Sequence, residues 1–130
     1  RAVAAHAAQV VGVGQQHPGA ALWLAGFSFG AWVTLRMAVA LEAAALVSIA
    51  PPVGRSWDFD RIDLPNAPWL VIQGDADEIV DPQAVYAWLA RLPRQPQLVR
   101  MPDTSHFFHR KLMDLRGAVK QGVRDWLPSA

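Results

Sequence analysis

The sequence predicts an α/β fold in which a parallel β-sheet carries helices on both faces. Three observations support this. Short continuous apolar runs recur along the chain, the pattern of strands buried on both faces. Segments of helical composition separate these runs, so strand and helix alternate and the connections are long enough to return each strand parallel to the last. Pro and Gly punctuate the boundaries. A chain of 130 residues is the size of one domain, and we read residues 1–130 as that domain.

The elements follow in order. Residues 1–16 are Ala-rich, with Val3, Ala7, Val10, Val11 and Val13 roughly on one helical stripe, and His17, Pro18 and Gly19 form a turn. The run Ala21 to Ala25 is the first buried strand, and a helix is expected over 31–43, directly after Gly30. Residues 45–49 make a second strand, stopped by Pro51 and Pro52. A polar, Pro-containing excursion covers 53–68. Residues 69–73 make a third strand ended by Gly74, and 82–92 a helix with Pro82 at its first position. A fourth strand over 97–101 and a last helix over 111–127 complete the pattern.

Composition excludes several function classes. Hydrophobic residues make up 52% and charged residues 18%, ample for a core and too apolar for a disordered chain. Twelve basic against eleven acidic residues, scattered without a cluster, leave +1, which argues against a nucleic-acid partner. The absence of cysteine rules out disulfides, thiolate metal sites and a Cys nucleophile. No apolar run approaches the roughly 20 residues of a membrane helix, and the first residues do not read as a signal peptide. The expectation is a soluble, cytoplasmic protein with no membrane partner. Six Trp, five Phe and one Tyr are many large side chains for one small domain.

The sharpest motif is Gly26-Phe27-Ser28-Phe29-Gly30, placed between a strand and a helix. At such a turn a serine sits in a strained backbone conformation, and glycines two residues to either side leave room for strand and helix to approach. The turn lifts the hydroxyl out at the carboxyl end of the sheet, where open parallel sheets bind ligands. The helix that follows aims backbone N–H groups at developing negative charge, making the Phe29 N–H a candidate oxyanion donor. A serine hydroxyl needs a base, and the base needs an acid to hold its tautomer. Downstream, the third strand leads into Asp75, Asp77 and Asp81, and the fourth into His106 and His109. The order Ser, Asp, His meets the requirement. His6 and His17 read as solvated histidines.

On these residues the chain resembles the α/β-hydrolase superfamily, in particular short bacterial serine hydrolases of esterase or dienelactone-hydrolase type without a large cap. That family's acid loop has the form Gly-x-x-Asp-x-(Ile/Val)-Val, matched here by Gly74, Asp77, Ile79 and Val80. The resemblance implies Asp77 as the acid, with Asp75 and Asp81 as alternates; Asp81 before Pro82 also reads as a helix N-cap. The family's histidine follows the last strand in a short loop, the place of His106, and His109 is the rival, expected to enter the last helix.

The implied function is cleavage of a small ester or related acyl substrate through Ser28, His106 and Asp77, with the oxyanion held by Phe29 and no metal or cofactor. Phe27 and Phe107 are the candidate substrate-binding residues. Phe29, Trp32, Trp57 and Phe108 could line the same pocket or belong to the core. A binding or scaffold protein that keeps the fold without turnover is the alternative. In the family several strands precede the serine, and a loop among them gives the second oxyanion donor. Here one helix and one strand precede it. The expectation is therefore the carboxyl-terminal part of a longer hydrolase, whose first strand presents an open apolar edge able to pair with a second copy of the chain.

Overall fold

The computed structural model describes residues 21–126. The expected helix over 1–16 and its turn lie outside them. The described elements are β1 (Trp23–Phe27), α1 (Phe29–Met37), β2 (Ala45–Ile49), β3 (Trp69–Gly74), α2 (Pro82–Ala90), β4 (Gln97–Met101) and α3 (Leu112–Val123), followed by a 3-10 turn over Arg124–Trp126. The four strands form one sheet in the order β1-β2-β3-β4, and every neighbouring pair is parallel. All carboxyl ends therefore lie at one end of the sheet, which is where the loops carrying Ser28, Asp77 and His106 begin.

The period-two alternation of the strands divides the core between two faces. Leu24, Leu46, Trp69 and Val71 pack with Trp32, Val33 and Leu35 of α1 and with Val85, Trp88 and Leu89 of α2. On the other face Val47, Leu70 and Ile72 meet Leu115, Ala118 and Val119 of α3. Helices thus cover both faces. All of β3 is buried, and a fully buried Leu, Ile or Val contributes about 1.5–3 kcal/mol. Leu70, Val71 and Ile72 thereby make β3 the anchor for the loop at its carboxyl end.

Three sequence expectations need correction. The first strand was expected to be buried on both faces, but in β1 only Leu24 is fully buried, while Trp23 and Phe27 are exposed. Among the described residues β1 is an edge of the sheet, with β2 its sole neighbour. The helix expected over 31–43 is regular only over Phe29–Met37. Its last turns close when Ala43 N–H donates to Ala38 O (3.0 Å) and Glu42 N–H to Val39 O (3.1 Å), with Glu42 at φ 53°. This is a Schellman closure, and Glu42 holds the left-handed position usually given to Gly, so the Ala-rich sequence conceals the stop. Finally, the last helix is regular only to Val123, and His109 lies in a turn before it rather than entering it.

Candidate active site

Ser28 follows β1 directly and caps α1, at φ 54° and ψ −118°, a combination that L-residues sparsely populate. The surroundings hold it there. Its N–H donates to Ile49 O at the end of β2 (2.8 Å), and its carbonyl accepts from Ala31 N–H (2.9 Å) to open the helix. Gly26 makes the bend sterically feasible, because a Cβ there would lie 2.2 Å from the Gly30 carbonyl oxygen. Gly30 differs from the expectation. Among the described residues nothing lies within 4 Å of a Cβ built on it, so its lack of a side chain relieves no contact there.

Asp77 belongs to the loop after β3 and is buried. Both of its oxygens are filled. Oδ1 accepts the backbone N–H groups of Ile79 and Val80 (each 2.8 Å), and Oδ2 accepts Nε2 of Gln73 (3.1 Å) and Nδ1 of His106 (2.8 Å). A carboxylate only accepts, so the imidazole proton sits on Nδ1 and Nε2 is left as an acceptor. That Nε2 lies 3.1 Å from Ser28 Oγ. The three side chains form one hydrogen-bonded row across three loops.

His106 is 2% exposed, and its loop is locked to the loop of Asp77. Ala76 N–H donates to Thr104 O (3.0 Å), and a Cβ on Gly74 would lie 2.3 Å from that same oxygen. The two loops meet at backbone contact because residue 74 has no side chain. The His106 backbone N–H donates to Glu78 Oε1 (3.0 Å). Its ring packs with those of Phe27 and Phe107 in a triangle, at centroid distances of 5.1 and 4.9 Å, with the two phenylalanines 5.9 Å from each other. Both phenylalanines are exposed, at 40% and 64%.

The alternates stand elsewhere. Asp75 is exposed and takes the Tyr86 hydroxyl and the Arg100 guanidinium (3.5 Å), with Arg100 stacked 4.1 Å over the Tyr86 ring. Burial pushes the Tyr86 hydroxyl up to about 12, and its hydrogen bond to Asp75 adds to the shift. Asp81 caps α2 by accepting Gln83 N–H (3.0 Å). His109 is exposed in its turn. Trp32 stacks on Phe59 in the core and Phe108 is buried, whereas the half-buried Phe29 packs on Trp57 of the excursion. As the first residue of α1, Phe29 has no intrahelical acceptor for its N–H. Among the described residues no cluster of three His, Cys, Asp or Glu could hold a metal. A cleft of about 710 Å³ lies at the opposite end of the sheet, beside Trp69, Trp88 and Gln97, and includes none of the three row residues.

Sequence reasoning missed Gln73 and Glu78. Gln73 carried a signal, being the one amide in an apolar strand run; Glu78 carried none beyond its place beside Asp77.

No protein-family model matches the chain. An uncharacterised protein of Rickettsia prowazekii is 29% identical over 102 residues, 72% of this chain and 43% of that protein. Among solved structures, a lidless α/β serine hydrolase of Xanthomonas campestris is 67% identical, with a TM-score of 0.88 over 93% of this chain and 55% of that one. An α/β serine hydrolase homologue from Coxiella burnetii is 35% identical, with a TM-score of 0.83 over 96% of this chain and 58% of that one. The chain thus spans a little over half the length of these two structures. Four parallel strands with helices on both faces, superimposable on these relatives over nearly the whole chain, show that the chain has the α/β-hydrolase fold and is similar to α/β serine hydrolases.

Proposed function

We propose that the protein is a serine hydrolase that cleaves a small carboxylic ester by acyl transfer. The observation that carries this is the continuous hydrogen-bonded row from Ser28 Oγ through the His106 ring to Asp77. Ser28 Oγ attacks the carbonyl carbon while His106 Nε2 takes its proton. The tetrahedral intermediate collapses, and the same proton goes to the leaving alcohol. Water then repeats the sequence on the acyl-enzyme, again through His106. Asp77 keeps the imidazole aimed and stabilises its charged form, and the N–H of Phe29 holds the oxyanion.

The resemblance to serine hydrolases at 35% and 67% identity supports this reading. The lidless description belongs to the Xanthomonas protein; carried over, it agrees with Phe27 and Phe107 being open to solvent, and suits a small acyl group resting on two aromatic rings. A fluorophosphonate probe tests the proposal: labelling at Ser28 that Ser28→Ala abolishes is expected, and an unlabelled wild-type protein overturns it. A panel of activated esters, thioesters and aminoacyl amides tests the substrate class, with the esters expected fastest.

A further inference from the structure

Gln73 is the last residue but one of β3, it is fully buried, and the four residues before it are Trp, Leu, Val and Ile. Its amide is only half used. Nε2 donates to Gly74 O (3.0 Å) and to Asp77 Oδ2 (3.1 Å), while Oε1 has no partner among the described residues. The orientation is dictated by the neighbours: both nearby groups are acceptors, so a flipped amide would set oxygen against oxygen. An unpaired buried carbonyl costs free energy, and an apolar side chain of the same size would avoid that cost. The part of the amide in use is its donor, and one of the two acceptors it serves is the carboxylate of Asp77.

We infer that Gln73 is a positioning residue for the Asp77–His106 pair. It fills the second acceptor site on the oxygen that holds His106 Nδ1. With Ile79 and Val80 N–H on Oδ1, it fixes the carboxylate against rotation about its last bond. This inference rests on the acyl-transfer reading of the site. Gln73 acts through Asp77 and does not touch the substrate.

The test compares Gln73→Met and Gln73→Glu with the wild-type protein in ester hydrolysis, fluorophosphonate labelling and thermal unfolding. Gln73→Met removes the donor and the orphaned oxygen together. It is expected to lower kcat about 10-fold, the usual worth of a hydrogen bond to a charged group, with KM unchanged and the unfolding midpoint unchanged or raised. A purely structural glutamine would give the opposite pattern, a lowered midpoint with kcat intact. Gln73→Glu keeps the shape and donates to Asp77 only while protonated, so its activity should fall at alkaline pH where the wild-type protein holds a plateau. Wild-type kcat in Gln73→Met, or a plateau in Gln73→Glu, overturns the inference. If the wild-type protein itself fails to label, it is the acyl-transfer reading that falls.

Discussion

Asp75 and Asp77 stand two residues apart on one loop, with the same side chain, yet they belong to different structures. Asp77 is buried, takes four donors and faces His106. Asp75 is exposed and faces Tyr86 and Arg100. The difference comes from the turn. Asp75 N–H continues the ladder to Met101 O (2.8 Å), and Asp77 N–H then closes back on Gly74 O (3.3 Å). Residues 75 and 77 thus leave the turn in different directions. Residue type alone would not separate them; the backbone hydrogen bonds of the turn do.

The widest separation is expected from paired substitutions. In Asp77→Asn the amide presents two N–H groups to His106 and Gln73, or to the backbone donors of Ile79 and Val80, and either way donor meets donor. Held with its nitrogen toward His106, it forces the imidazole proton onto Nε2, the wrong tautomer for accepting from Ser28. A loss in kcat of about 10⁴-fold is expected, the size such a change has in serine proteases. Asp75→Asn keeps an acceptor for Tyr86 and should stay within about threefold, as exposed pairs contribute little. Steady-state kinetics of both variants on one ester decide this, and equal losses would break the distinction between the two carboxylates.

Gly74→Ala strikes the point where the two loops touch. The added methyl lands 2.3 Å from Thr104 O, a backbone atom that can yield only if the His106 loop moves. Overpacking of this kind costs about 1–3 kcal/mol, and an ångström of misplacement about 100-fold in rate. Both should be seen together, in the denaturant midpoint and in kcat/KM. A tolerated alanine would show that the loops are held by something other than this contact.

Glu78 sharpens the comparison, being a carboxylate beside Asp77 that takes a backbone N–H of His106 rather than its ring. Glu78→Ala frees the loop and should lower kcat/KM about 3- to 10-fold. Glu78→Gln keeps the acceptor and should stay within about twofold. If the two variants lose equally, the charge matters and the hydrogen bond does not.

How much of this could be read in advance follows from the range of each interaction. The strand over 45–49 matches its apolar run residue for residue, because burial dictates composition locally, whereas the strand over 97–101 keeps its expected bounds although only Met101 in it is buried. The turn at Ser28 is also local, since Gly26 must admit the Gly30 carbonyl four residues on. The position of His106 beside Asp77 could be expected from loop order, but not its distance. What stayed hidden depends on side chains meeting across the fold. Glu78 reaches a backbone N–H 28 residues away, and Asp75 reaches Arg100 on the neighbouring strand. Neither contact leaves a periodic trace. The helix end after Met37 was hidden for a different reason: Glu42 holds a left-handed position that its residue type does not advertise.

The smallest effect belongs to the Asp75 side of the loop and is visible only in alkali. The Tyr86 hydroxyl, raised by burial and by Asp75 from its ordinary value near 10 to about 12, stays protonated in the folded chain over a range where an unfolded tyrosine ionises. A group raised in this way stabilises the fold fully below pH 10, and that contribution is lost as pH climbs through 12. Tyr86→Phe has no proton to lose. The wild-type protein should therefore hold a small advantage in urea midpoint at pH 8 that shrinks from about pH 10 and is gone near pH 12, while ester hydrolysis at neutral pH stays the same in both. A difference that is flat across that window would mean that neither burial nor Asp75 raises the phenol in solution. A loss of neutral-pH activity would mean that the two faces of the loop are coupled after all.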